Sequence, residues 1–183
     1  MAPERPPWPL VTQEINMGHE SLTDDRQAGT GSSILVVDDE KASAQLLAHI
    51  LAGSGHLVEV AHNGNEALEL AQCMQPDLIL LDIMMPGLNG FDVCARLKAD
   101  DATRHIPVLF LSALSDIDDK VRAFSAGAAD YITKPFHARE VRARVATHLS
   151  LRALQSQLGL ANKVLERQNA ELQRRNAELH DAL

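Results

Sequence analysis

Between Ile34 and about His148, short apolar runs alternate with amphipathic stretches, and this alternation restricts the chain to a small set of folds. Apolar runs too short for helices, each followed by a helix-length amphipathic segment, make parallel strands covered by helices on both faces. The predicted strands are Ile34 to Val37, Leu57 to Ala61, Leu78 to Leu81, Val108 to Leu111 and Asp130 to Ile132. Between them, leucines and alanines recur at helical spacing, as in Leu46, Leu47, Ile50 and Leu51, with Gly53 placed to end the first helix. Five such units make an α/β fold with a doubly wound parallel sheet.

The 183 residues suit one core with appendages. Residues 1–33 contain Pro3, Pro6, Pro7 and Pro9 and a GTGSS run ending at Ser33, without periodicity, and read as a disordered leader. Met17 offers an alternative start within it, and Trp8 an alternative role for it as a docking arm. The expected organisation is leader 1–33, an α/β domain at 34–148 and a helical tail at 149–183. A net charge of −8 argues against a broad nucleic-acid footprint and permits a cation site. Cys73 and Cys94 fall in predicted helices and read as reduced, buried small residues rather than a disulfide. No run reaches the roughly 18 apolar residues of a membrane span and no signal-peptide centre is evident, so no membrane partner and a cytoplasmic location are expected. The eight histidines show no pair at metal spacing on one predicted face, and none is assigned a role.

Two strands run straight into acids. Ile34-Leu35-Val36-Val37 is followed by Asp38-Asp39-Glu40, and Leu78-Ile79-Leu80-Leu81 by Asp82 and then a Pro86-Gly87 turn. Parallel strands share one carboxyl edge, where open α/β sheets carry their chemistry, so Asp38, Asp39 and Asp82 can converge there. Three crowded carboxylates repel unless a hard cation or protons intervene, and Mg2+ suits oxygen donors while keeping waters that a phosphate can replace. The remaining strand ends bring Ser112 and Lys134, with Tyr131 nearby. Acids, a hydroxyl and a lysine at one edge form a phosphoryl-transfer constellation. Any of these residues alone is as well explained as a helix cap, a turn residue or a solvated side chain.

The ordered motifs VVDDE, LLDIMMPGLNG, FLSAL and DYITKPF closely resemble the receiver domain of two-component response regulators over Ile34 to His148. The resemblance implies a flavodoxin-like sheet of strand order 2-1-3-4-5. It implies that Asp82 accepts a phosphoryl group from a phosphohistidine on a sensor histidine kinase or phosphotransfer protein. Asp39 and Asp82 match direct Mg2+ ligands, Met84 the position that lends its backbone carbonyl, and Asp38 a ligand acting mostly through water. Lys134 matches the phosphoryl-stabilising lysine, and Ser112 the hydroxyl that moves to bond the aspartyl phosphate. Tyr131 matches the aromatic switch that follows it, reshaping the face around the last strand, and Pro135 the cis-proline.

Leu151, Leu158, Leu165, Leu172 and Leu179 recur at an interval of seven. With these at d, the a column holds Gln155, Asn162, Asn169, Asn176 and Leu183, a two-stranded parallel coiled-coil pattern and hence a homodimer. Three asparagines in one column, with Gly159 in the segment, predict a weak zipper. A solvated helix, or one packed on its own domain, is the rival reading. The last helix should begin near His137 and run unbroken into this segment, roughly 70 Å in all. Phosphorylation would then speak to dimer geometry. Three functional classes stay open: a stand-alone receiver signalling through its tail, the sensory front of a longer regulator with a cyclase, phosphodiesterase or kinase output, and a zipper-type DNA binder. Arg139, Arg142, Arg144 and Arg152 could serve the last, but they read better as the solvated face of the final helix, so nucleic acid is not an expected partner.

Overall fold

The computed structural model describes residues 31–113 and 125–181, with side chains as far as Asn176. The expected leader up to residue 30, with Trp8 and Met17, lies outside the described residues, as do Leu114 of FLSAL, the segment after it, and Leu183. The described chain runs β1 (Ser33–Val37), α1 (Lys41–Ala52), β2 (Leu57–Ala61), α2 (Gly64–Met74), β3 (Leu78–Asp82), α3 (Gly90–Ala99), β4 (Val108–Ser112), β5 (Asp130–Thr133) and α4 (Ala138–Asp181). All strand pairs are parallel, in the order β2-β1-β3-β4-β5.

The pleat divides the central strands between two cores. Leu35, Val37, Ile79, Leu81, Val108 and Phe110 pack with Ala67, Ala71, Val93 and Leu97 of α2 and α3. Ile34, Val36, Leu78, Leu80, Leu109, Leu111 and Ile132 pack with Leu47, Ile50 and Leu51 of α1 and Val141 and Val145 of α4. Strands buried on both faces in this way read as unbroken apolar runs, which is why β1, β3 and β4 stand out in the sequence. Helix starts are set locally: Asn63 accepts from the Glu66 N–H and Asn89 from the Asp92 N–H, each at 3.0 Å, giving α2 and α3 side-chain N-caps.

Several expectations shift. Ser33, placed in the leader, is the first residue of β1 and donates its N–H to Asp77 Oδ2 at 2.9 Å, so that strand end is anchored. Gly53 does close α1 but at an ordinary φ of −64°; the left-handed residue of that turn is Gly55. Leu46 lies off the buried stripe Ala44, Leu47, Ile50, Leu51 and is 52% exposed. Cys94 is buried, but Cys73 is exposed because α2 buries Gly64, Ala67 and Ala71 and Cys73 points roughly 200° away from Ala71. Both cysteines are free thiols.

Candidate phosphoryl-transfer site

Parallel pairing carries Asp38, Asp82, Ser112 and Lys134 to one edge. Val37 pairs with Leu81, so the residues after them, Asp38 and Asp82, emerge side by side; Ser112 pairs with Thr133, one residue before Lys134. The β3 exit is shaped by two glycines. Gly87 follows Pro86 at φ +79°, a conformation that suits the third position of a type II turn. At Gly90, which opens α3, a Cβ would stand 2.3 Å from the Asp82 carbonyl oxygen, so only glycine lets the helix start against the strand end.

Asp38 is fully buried and Asp82 5% exposed. Asp38 accepts from the Glu40 N–H at 3.0 Å through Oδ1, and from Ser43 Oγ at 2.6 Å through Oδ2. Asp82 Oδ1 accepts from the Met84 N–H at 3.1 Å. The Lys134 ammonium joins them, donating to Asp38 Oδ2 at 2.8 Å and to Asp82 Oδ2 at 2.6 Å. The Lys134–Pro135 peptide is cis. Burial holds the Asp82 carboxyl above the ordinary aspartate value; the Lys134 and Met84 hydrogen bonds and the Lys134 charge oppose this, and the Asp38 charge adds to it. For Lys134, burial pulls the pKa down, but its hydrogen bonds and charge contacts with Asp38 and Asp82 prevail and hold it above the usual lysine value.

Exposed Asp39 completes a cluster in which one oxygen each from Asp38, Asp39 and Asp82 lies within 4.8 Å of the others. Three carboxylates balanced by one ammonium leave a negative, all-oxygen donor set, and this chemistry fits a hard divalent cation such as Mg2+. Ser112 is buried and its carbonyl accepts the Lys134 N–H at 2.7 Å. Met84 presents its N–H to Asp82 while its side chain is 64% exposed. Beside the site, Glu40, Ala42, Ser43, Leu46, Lys134, Pro135 and Phe136 line an open depression of about 480 Å³.

Some residues with specific partners, Ser43 at this edge and others at the opposite end of the sheet, were not singled out from sequence. Ser43 sits in the first turn of α1, where a serine reads as ordinary. Arg144, expected on a solvated face, reaches Asp130 Oδ1 and Oδ2 from Nη1 at 2.9 and 2.8 Å, donates from Nε to Glu140 at 3.0 Å, and lies 5.8 Å above the Tyr131 ring. His148, left without a role, places Nε2 3.2 Å from Asp130 Oδ2. Arg152 likewise is not merely solvated, donating to the Pro76 carbonyl at 2.7 Å. Arg139 and Arg142 are exposed, as expected. Charge periodicity along α4 could have flagged Arg144 only if the acid at the start of β5 had been read as its partner.

Past Arg152 every described position of α4 up to Asn176 is exposed. Leu151, Leu158, Leu165 and Leu172 are 49%, 63%, 55% and 57% exposed, with Asn162, Asn169 and Asn176 also at the surface. Leu179 lies on the same helix, its side chain outside the described residues. Among the described residues no helix is long and apolar enough to cross a membrane.

Residues 34–146 match the family model of the response regulator receiver domain. Over 112 residues the chain is 47% identical to the DNA-binding dual master transcriptional regulator RpaA of Synechocystis sp., covering 61% of this chain and 46% of that one. It is 46% identical over 112 residues to the response regulator PleD of Caulobacter vibrioides, covering 61% and 25% respectively. The chain thus spans a quarter to a half of the length of such curated relatives. A response regulator from Chloroflexus aurantiacus superposes with a TM-score of 0.63 at 37% identity, over 66% of this chain and 98% of that one. The receiver domain of the Francisella response regulator 1452 gives 0.62 at 34%, with the same coverages.

Proposed function

Because the chain belongs to the response regulator receiver family, we propose that Asp82 is its phosphoacceptor, charged by a sensor histidine kinase or phosphotransfer protein and read out through a dimeric helical tail. One observation carries the reading: Lys134 bridges the two buried carboxylates that β1 and β3 deliver to the same edge. In the transfer, an Asp82 oxygen forms a bond to phosphorus as the phosphorus–nitrogen bond to the donor imidazole breaks, the leaving nitrogen keeping the electron pair. Asp82 must be ionised to attack, and the Met84 N–H holds one of its oxygens in place while the other does so. Asp38, Asp39 and Asp82, with the Met84 carbonyl, would hold a divalent cation, which would supply neutralisation of the phosphoryl oxygens. Lys134 then exchanges a carboxylate contact for one to the new phosphoryl oxygens, and Ser112 donates its hydroxyl to another. Tyr131 follows as the switch. The depression beside Lys134, with exposed Leu46 and with Phe136 on its wall, gives a donor protein an apolar seat.

The test is phosphoryl uptake. Incubation with acetyl phosphate and Mg2+ should add one phosphoryl mass to the wild type and none to Asp82→Asn, and chelation of Mg2+ should abolish uptake. Uptake by Asp82→Asn at the wild-type rate would overturn the assignment.

The partial span of the relatives supports a second reading, in which receiver and helix regulate an output domain carried by a longer chain, an enzyme being one such output. Reading the gene past codon 183 separates the two. DNA binding is the weaker alternative, since from His148 onward five basic residues stand against four acidic. A mobility shift at low salt would reveal it. Either regulator would work in the cytoplasm with its phosphodonor.

A further inference from the structure

Arg144 is held at three points. Its Nη1 bonds both oxygens of Asp130, its Nε bonds Glu140, and its guanidinium carbon sits over the Tyr131 ring at 5.8 Å from the centroid. Asp130 also accepts the backbone N–H of Tyr131 at 2.8 Å, and His148 Nε2 at 3.2 Å. The backbone and the ring of Tyr131 are therefore both tied to one carboxylate–guanidinium pair. The pair's other end lies on α4, two turns before the helix leaves the domain at Arg152.

We propose that Arg144 is the positioning residue of Tyr131, a latch that holds the ring where it lies before phosphorylation. The inference rests on Tyr131 being the switch of the proposed phosphoacceptor site. Asp130 and Glu140 fix the guanidinium plane, so the ring gives up its cation contact whenever it moves toward the phosphoryl group. Arg144 and His148 also stand seven residues before Leu151 and Gln155, in the d and a columns that the zipper continues. Movement of the ring is thus felt at the helix positions directly upstream of the seam. The contact is worth roughly a two- to five-fold bias in the ratio of the two ring positions.

Tyr131 is the chain's one tyrosine, so labelling with 3-fluorotyrosine gives a single fluorine NMR resonance. In the full chain without ligand, Arg144→Ala should move that resonance toward the position that wild type reaches with beryllofluoride and Mg2+. Arg144→Lys, which keeps the charge and loses the fork, and Asp130→Asn should shift it part of the way. Coincident unliganded resonances in wild type and all three variants, with unchanged circular dichroism, overturn the latch; so does a wild-type resonance that beryllofluoride leaves in place. If Arg144→Ala fails to fold, the other two variants decide. Phosphoryl uptake from acetyl phosphate, measured by mass on the same samples, tests the phosphoacceptor assignment separately, since it requires no movement of Tyr131.

Discussion

Lys134 stands between two buried carboxylates, and removing it leaves Asp38 and Asp82 facing each other uncompensated. Lys134→Ala should therefore lose about 3 kcal/mol in urea unfolding at neutral pH, the low end for a broken buried pair because the lysine is itself partly exposed. Millimolar Mg2+ should recover most of that loss if the carboxylates bind the cation. Two aspartates should shape the pH dependence in opposite directions. The Asp82 carboxyl is raised above 3.8, so between its unfolded and folded values the native state binds the extra proton, and its contribution declines as pH rises through that window. Burial alone would raise Asp130 too, but the Tyr131 N–H, Arg144 and His148 depress it, so its contribution is present above 3.8 and is lost as pH falls through the folded value. In chelator, Asp82→Asn should flatten the decline above about pH 4, and Asp130→Asn should remove the extra loss below it, both read from urea midpoints. Asp38 and Asp82 were legible because each closes an apolar run, and Lys134 because it stands in the DYITKPF motif. Ser43, Arg144 and His148 were not, because a polar residue on a helix looks solvated until its partner on another element is known.

At the scale of elements, the β3 exit and α3 start are packed backbone against backbone, and Gly90→Ala should cost about 1–3 kcal/mol because its Cβ would meet the Asp82 carbonyl. The same change should slow phosphoryl uptake by displacing Asp82, which acetyl-phosphate labelling would read. In α4 the expectation is reversed. Leu158→Asp and Leu165→Asp should leave the receiver's urea midpoint unchanged, since those leucines are exposed, yet abolish any dimer seen by sedimentation. A wild-type chain that sediments as a monomer at high concentration would refute the zipper. The five strands could be read from sequence within a residue at each end because parallel burial leaves apolar runs bounded by turns. Helix faces were harder: Leu46 and Cys73 are apolar residues on stripes that the fold turns to solvent. The packing of α4 continues past His148 to Arg152, and nothing in a continuous helical pattern marks where contact stops.

For the molecule as a whole, α4 belongs to two environments, a packed first part with Val141 and Val145 in the core and a remainder whose described positions are all exposed. A helix without tertiary packing lacks the main source of helical stability, so amides beyond Arg152 should exchange rapidly in dilute solution and become protected as concentration rises, while those of β1 and β3 stay protected throughout. Protection independent of concentration would argue against pairing. The unbroken run from Arg152 to Asp181 has a mechanical consequence as well. At 1.5 Å per residue it is a lever arm of roughly 43 Å, so a tilt of about 5° at its root carries the far end about 4 Å. Displacements too small to see around Tyr131 would arrive at the tip enlarged to the size of an atom or more.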